Sequence, residues 1–270
     1  MVVQHNMQAV NTNRMLGGNV KAVAKSTEKL SSGYAVNRAA DDAAGLSISE
    51  KMRNQIRGID QAVKNSEDGV SLIQTAEGNM NEIHSILQRM GELATKAAND
   101  VNASEDRKAI KDEMTELTNE INSISSKAAF NGTKLLTGKY TGKQLQVGAN
   151  AGENMKISIA KMNAGSLGVS GLSVSSHANA SNAMSKITSA IKTVSAARSL
   201  LGAKQNRLEY TINNLENYSE NLTAAESQIR DTDMASEMTK YTKNNILQQA
   251  AQSMLAQANQ STQGVLSLLG

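Results

Sequence analysis

Seven apolar residues fall at steps of seven toward the C-terminal end of the chain: Ile187, Val194, Leu201, Leu208, Leu215, Leu222 and Ile229. A repeat held that long keeps one side of a helix turned toward a partner, because slight underwinding stops the seam from drifting around the axis. Met184, Ile191 and Ile212 partly occupy the second seam position, while Arg198, Gln205, Ser219 and Glu226 dilute it. One helix of about 50 residues would be roughly 75 Å long. It cannot bury such a stripe on itself, so the rest of the chain must supply partners.

The other segments read in the same terms. Val3, Met7 and Val10, then Leu16, Val20, Val23, Thr27 and Leu30, recur at threes and fours and predict an amphipathic helix ending at Ser31-Ser32-Gly33, with Gly33 suited to a left-handed cap. Asp41 or Asp42 is placed to cap a second long helix, whose apolar positions run from Ile48 through Met80, Leu87 and Leu93 to Ala97. Ser104, followed by Glu105 and Asp106, looks like the N-cap of a third helix through Ile110, Met114, Leu117, Ile121 and Ile124. A connection so short predicts antiparallel neighbours. Leu145 and Val147, then Met155, Ile157 and Ile159, alternate with polar residues around a Gly-rich link, which predicts a β-hairpin over about 143–160. Gly and Ser dominate residues 165–176, a loop or surface cap. After the heptad helix, Arg230-Asp231-Thr232-Asp233 makes a polar joint, and a last amphipathic helix carries Leu247, Ala251, Met254, Ala258, Val265 and Leu268.

The predicted fold is therefore mainly α: an elongated antiparallel bundle or coiled coil of long helices with a small β-hairpin region. The two ends mirror one another, so the termini come together in a helical coiled coil. Residues 1–33 with 235–270 form that terminal-helix domain, 34–45 with 230–234 the linkers, and 46–229 a middle domain. The terminal helices are thin in large apolar residues. Ordering backbone costs about 1–2 kcal/mol per residue, and one large side chain in four returns about 1.5–3 kcal/mol when buried. Such a pair is expected to be marginal alone and to order fully when other subunits cover it.

Composition sharpens this. The chain has 270 residues, no Pro, Trp or Cys, one Phe and 13 Met. Large core-filling rings are scarce, so small residues and flexible thioethers must do the packing. Without Cys, disulfides and thiol chemistry are excluded. The net charge of +3 comes from interspersed signs rather than a basic stripe, so nucleic acid is not an expected partner, and with no run of 18 apolar residues a membrane is not one either. The first residues lack a basic and then apolar signal, which predicts export, if any, by another route.

The residues also carry a resemblance. Lys29-Leu30-Ser31-Ser32-Gly33, Asp41-Asp42-Ala43-Ala44-Gly45, Leu87-Gln88-Arg89-Met90, Phe130-Asn131-Gly132, Gln146-Val147-Gly148-Ala149-Asn150, Gln205-Asn206-Arg207-Leu208, Leu255-Ala256-Gln257-Ala258-Asn259-Gln260 and Val265-Leu266-Ser267-Leu268-Leu269 resemble the bacterial flagellins in order along nearly the whole chain. The variable outer region that larger members insert is absent, with only a loop at about 165–180. The resemblance implies a structural subunit that self-assembles into the flagellar filament for motility. The terminal helices, with Val3, Met7, Val10, Leu247, Met254, Ala258, Val265 and Leu268, would line the inner tube. It further implies unfolded export by the flagellar type III apparatus, and as partners a secretion chaperone, the filament cap and the hook–filament junction proteins. A host Toll-like receptor 5 would bind at Arg89, Leu93 and Glu113 with Gln88. Gly91 stands where strongly stimulatory relatives carry arginine, which implies weakened signalling. A hook–filament junction adaptor and a soluble coiled-coil signalling module are the competing readings.

No residues suggest catalysis, a metal or a cofactor. His5, His84 and His177 are scattered without ligands at metal spacing. Gly138-Lys139-Tyr140-Thr141-Gly142-Lys143-Gln144 superficially resembles a phosphate loop, but its glycine spacing is one short and Gln144 replaces the magnesium-binding hydroxyl. Glu113, Glu116 and Glu120 are spaced along a solvated helix face.

Overall fold

The computed structural model describes residues 6–269, with side chains as far as Ser261. Five helices carry the chain: α1 (Met7–Ser32), α2 (Ala43–Ala97), α3 (Ser104–Lys127), α4 (His177–Arg230) and α5 (Met234–Leu269). Between α3 and α4 lie two antiparallel strand pairs, β1 (Ala129–Phe130) with β2 (Thr133–Lys134) and β3 (Lys143–Gln146) with β4 (Asn154–Ile157). Contacts divide the chain into two compact units, Met1–Asn54 with Glu220–Gly270 and Gln55–Ser219. The division falls inside α2 and α4.

The local causes are visible at the helix ends. Gly33 ends α1 at φ 77°, and its N–H donates to the Lys29 carbonyl at 2.8 Å. Of the two candidate acids, Asp42 caps α2: its Oδ1 accepts the N–H groups of Ala44 and Gly45 at 3.0 and 2.9 Å. Asp41 instead accepts from the backbone of Asn37 and Arg38 and pairs with Lys25 at 2.9 Å. The cap of α3 differs from the predicted one. Ala103 occupies the N-cap and Ser104 is already helical, while Asp106 reaches back to accept the Ala103 N–H at 3.2 Å. An alanine serves because the third helical residue supplies the hydrogen bond from the other side.

In the unit of residues 55–219, α2 runs antiparallel to both α3 and α4. Arg89 meets Glu113 and Asp100 meets Arg107 across α2 and the start of α3. His177 bonds the Ala98 carbonyl, Arg198 reaches Glu77 and Ser219 reaches Asp60 along α4. One apolar core fills the space, with Ile73, Met80, Ile83, Leu87 and Met90 of α2 at 0 % exposure. The residues at 158–176 are more than a loop. Met162, Ala164, Leu167, Val169 and Val174 are buried in the same core. Its turns are pinned by hydrogen bonds such as Met162 N–H to Leu136 O and Ala164 N–H to Asn122 Oδ1.

The expected hairpin pairs Lys143 with Ile157 and Leu145 with Met155. Met155, Ile157 and Ile159 all point into the core. Glycines let the hairpin lie close to α2. A Cβ at Gly58 would stand 3.0 Å from that of Ala149, and one at Gly69 would stand 2.5 Å from Leu145 Cδ2. The smaller pair, β1–β2, turns at Asn131 and Gly132, both with positive φ (45° and 75°). Asn-Gly is the strongest local signal for a two-residue hairpin, but strands of two residues leave no alternating pattern around it.

Candidate functional site

The heptad seam splits by burial. Ile187, Val194, Leu201 and Leu208 are buried at 0–1 % exposure, whereas Leu215, Leu222 and Ile229 are half-buried. The first four face the core of the 55–219 unit. Beyond it, no comparable apolar layer covers the seam among the described residues.

The other unit is built on α1 and α5. They pack antiparallel, with Asn6 bonding the Ala258 carbonyl at one end, Ser26 bonding Glu237 toward the other, and Tyr34 bridging Asp231 just past it. Each helix carries two stripes rather than the single one expected. The stripe of α1 that meets α5 is Ala9, Thr12, Leu16, Asn19, Val23, Ser26 and Leu30, and that of α5 is Glu237, Tyr241, Asn244, Gln248, Ala251, Leu255 and Ala258. Both step by threes and fours, and both are mostly small or polar, which lets the two backbones approach closely. Leu16, Val23, Leu30 and Leu255 are half-buried on these stripes, but many other large apolar residues point elsewhere. Met7 (71 % exposed), Val10 (62 %), Ile246 (61 %) and Met254 (56 %) face outward, as do Met15, Val20, Met234, Met238 and Leu247. Leu247 and Met254, seven apart, thus share the outward side, and Ala251 and Ala258, also seven apart, share the side that meets α1, because seven residues make about two helical turns. Val3, and the side chains of Val265 and Leu268, lie outside the described residues.

Inside this helix pair sits one acid. Glu237 is 6 % exposed, and its Oε1 accepts the Ser26 hydroxyl at 2.7 Å while Oε2 faces Lys240 at 3.2 Å. The Ser26 hydrogen bond holds the carboxyl below its ordinary value; the charges of Lys240 and Lys29 add to this and burial opposes it.

The joint at the base of α1 and α5 is a clasp around Arg230. Its guanidinium lies 4.5 Å from the Tyr34 ring centroid, bonds Glu50 at 3.1 Å and is largely buried. Ala35 N–H donates to the Arg230 carbonyl at 2.6 Å and Thr232 N–H to the Gly33 carbonyl at 2.9 Å. Asp233 then caps α5 through Ala235 and Ser236. The sequence Arg230-Asp231-Thr232-Asp233 predicts only a polar joint here. Which arginine would fold back on which tyrosine had no periodic signal.

On the 55–219 unit, the structure brings Arg89 and Glu113 together. Arg89 Nε and Nη2 donate to Glu113 Oε1 at 3.1 and 3.0 Å, and Nη1 donates to Glu92 at 3.0 Å. The two carboxylates, Glu92 first, raise the guanidinium's affinity for its proton. Leu93 lines the same shallow groove with Lys96 and Ile110, but at 3 % exposure it forms the floor rather than a projecting contact. Gln88 is exposed beside Arg89 and does not line the groove. Gly91 is helical, and a Cβ there would meet Ile187 Cγ2 at an ordinary 3.8 Å.

The remaining candidates do not converge. His84 is half-buried and His177 is tied to the Ala98 carbonyl. The Gly138–Gln144 stretch leads into β3 rather than into a helix N-terminus, so its amides form no phosphate cradle. No described helix is long and apolar enough to cross a membrane.

Comparison with known proteins gives this arrangement its context. Residues 3–141 match the family described as the bacterial flagellin N-terminal helical region, and residues 184–269 match the C-terminal helical region. A flagellin of Halalkalibacterium halodurans is 53 % identical over 271 residues, and one of Bacillus subtilis is 50 % identical over 303, each spanning all of both chains. A flagellar filament 33 kDa core protein of Treponema phagedenis is 46 % identical over the whole of both. Among solved structures, Bacillus cereus flagellin superposes at a TM-score of 0.50 and 28 % identity, covering 56 % of this chain and 88 % of that one. A putative flagellar hook-associated protein of Vibrio parahaemolyticus reaches a TM-score of 0.60 over 71 % of this chain and all of its own, but at 14 % identity the likeness concerns fold alone. Flagellins are structural proteins rather than enzymes, and this chain belongs to their family, the self-assembling subunits of the extracellular flagellar filament.

Proposed function

We propose that the outward stripes of α1 and α5 are the polymerising surfaces. Inner small and polar residues close the helix pair within one subunit, and the outer methionines, valines and leucines are covered by neighbouring copies. The observation that carries this is the exposure of Met7, Val10, Ile246, Leu247 and Met254, which lie off the stripes where α1 and α5 meet, while the large apolar members of those stripes, Leu16, Val23, Leu30 and Leu255, are half-buried. In this scheme residues 1–33 with 235–270 form the inner tube, 34–45 with 230–234 the spokes, and 46–229 the surrounding layer. The chain passes unfolded through the flagellar type III apparatus and meets a chaperone, the filament cap and the junction proteins on the way.

The test is a pelleting assay with purified monomer lacking residues 1–30 and 236–270. The trimmed protein should stay in solution under conditions where the full chain sediments as filaments. Micrometre fibres from the trimmed protein would refute the assignment. A full chain that stops at capped oligomers would favour a junction-type adaptor instead.

A second role fits the Arg89–Glu113 cluster: recognition by Toll-like receptor 5. Arg89 and Glu113 present a fixed charge pair over the Leu93 floor, with Gln88 alongside. Gly91 removes a long cation from the neighbouring surface, which fits binding with weakened signalling.

A further inference from the structure

The structure sorts the methionines by environment. Met80, Met90, Met114, Met155 and Met162, all in the 55–219 unit, are buried at 0–5 % exposure. Met7, Met15, Met234, Met238 and Met254, all on α1 and α5, are exposed at 48–71 %. Met52 and Met184 are half-buried. Among the described residues, the exposed thioethers are therefore confined to the terminal helices. Leucine would give the same helix propensity and similar apolar area there. What methionine adds is flexibility and a sulfur open to two-electron oxidants.

We propose that these five thioethers form an oxidant-responsive modification site on the unassembled subunit. Peroxide-class oxidants turn them into sulfoxides, and the sulfoxides stop the terminal helices from taking up a second copy of the chain. The inference rests on the assembly surfaces proposed above. In the chemical step, a sulfur lone pair attacks one oxygen of hydrogen peroxide. The S–O bond forms as the O–O bond breaks, and the departing hydroxide takes the remaining proton and leaves as water. Sulfur loses two electrons and the peroxide gains them. The product is a polar, chiral group with a strong acceptor oxygen, set where an apolar neighbour should sit. Buried there without a donor, it opposes association. The core methionines are shielded, so the 55–219 unit keeps its fold.

Monomer is exposed to hydrogen peroxide, quenched, mapped by peptide mass spectrometry and then polymerised. The five exposed methionines should oxidise well before the five buried ones. The critical monomer concentration should rise by about tenfold or more, equivalent to about 1.4 kcal/mol per subunit, with far-UV circular dichroism of the 55–219 helices retained. Methionine sulfoxide reductase with a dithiol should restore assembly. A variant with leucine at all five positions should polymerise equally well before and after the same dose. If that variant assembles poorly, Met7→Leu and Met254→Leu singly, together with the reductase rescue, carry the test. Full oxidation of the five with an unchanged critical concentration would overturn the inference, as would loss of assembly that the reductase cannot reverse. Finished filaments treated identically separate the two readings. Protection of the five sulfurs there supports their burial between copies. Oxidation as fast as in monomer refutes the assembly surfaces themselves.

Discussion

Gly69 and Gly78 lie nine residues apart on α2, in the same compact unit, and should respond oppositely to alanine. Replacing glycine by alanine inside a helix ordinarily stabilises by about 1 kcal/mol, because the unfolded chain loses freedom and the helix does not. At Gly78 nothing lies within 4 Å of the added methyl, so the whole gain should appear. At Gly69 the methyl would stand 2.5 Å from Leu145 Cδ2 and 3.3 Å from Leu208 Cδ1. Leu208 is fully buried, and the half-buried Leu145 side chain must turn away from α2 to admit the methyl. Overpacking of this kind costs about 1–3 kcal/mol. Gly69→Ala should therefore range from neutral to about 2 kcal/mol destabilised, and the two variants should differ by about 1–3 kcal/mol. Urea unfolding of dilute monomer, followed by far-UV circular dichroism and by amide exchange in residues 55–219, reads the difference. A domain of this size moves its melting midpoint by about 2–4 °C per kcal/mol, which thermal scans resolve. Leu145→Ala supplies the control. In that background the clash is gone and Gly69→Ala should recover most of the helix gain. The steric account fails if Gly69→Ala matches Gly78→Ala, or if removing the Leu145 side chain leaves their difference unchanged.

Three further outcomes are expected. Leu201→Ala should cost about 2–5 kcal/mol and Leu222→Ala clearly less, because the first is 1 % exposed and the second half-buried on the same heptad seam; equal losses in chemical denaturation would contradict the burial difference. Glu237 has its folded pKa lowered from 4.5, so it stabilises the α1–α5 pair fully above that value and loses the contribution as pH falls through it and then through the lower folded value. An acid titration of terminal-helix content should lose this component in Glu237→Gln, and an unaltered acid slope would exclude the Ser26–Glu237 bond as its source. Arg89→Ala breaks an exposed pair, so it should leave stability nearly unchanged while lowering Toll-like receptor 5 reporter potency by about tenfold; Gly91→Arg, whose Cβ would stand at an ordinary 3.8 Å from Ile187, should raise potency, and no gain would end the weakened-signalling reading.

Periodicity alone determined much of this protein. Helix identity, helix order and the hairpin around Leu145 and Met155 follow from where apolar residues recur, because burying one side of a regular element imposes its period on the sequence. The cap at Gly33 was equally plain, since a left-handed residue favours glycine. Tertiary structure decided what periodicity does not encode. It assigned Leu16 and Val23 to the partner within the chain and Met7 and Val10 to the outside, although all four satisfy one amphipathic pattern. It placed Leu93 beneath Arg89 rather than beside it, and it drew Leu167, Val169 and Val174 of the apparently polar loop into the core. It also showed why Gly69 is glycine, through the close approach of a strand some 75 residues away. A period states how often a side must be covered. Which surface covers it depends on distances between segments far apart in the chain, and these exist only once the chain has folded.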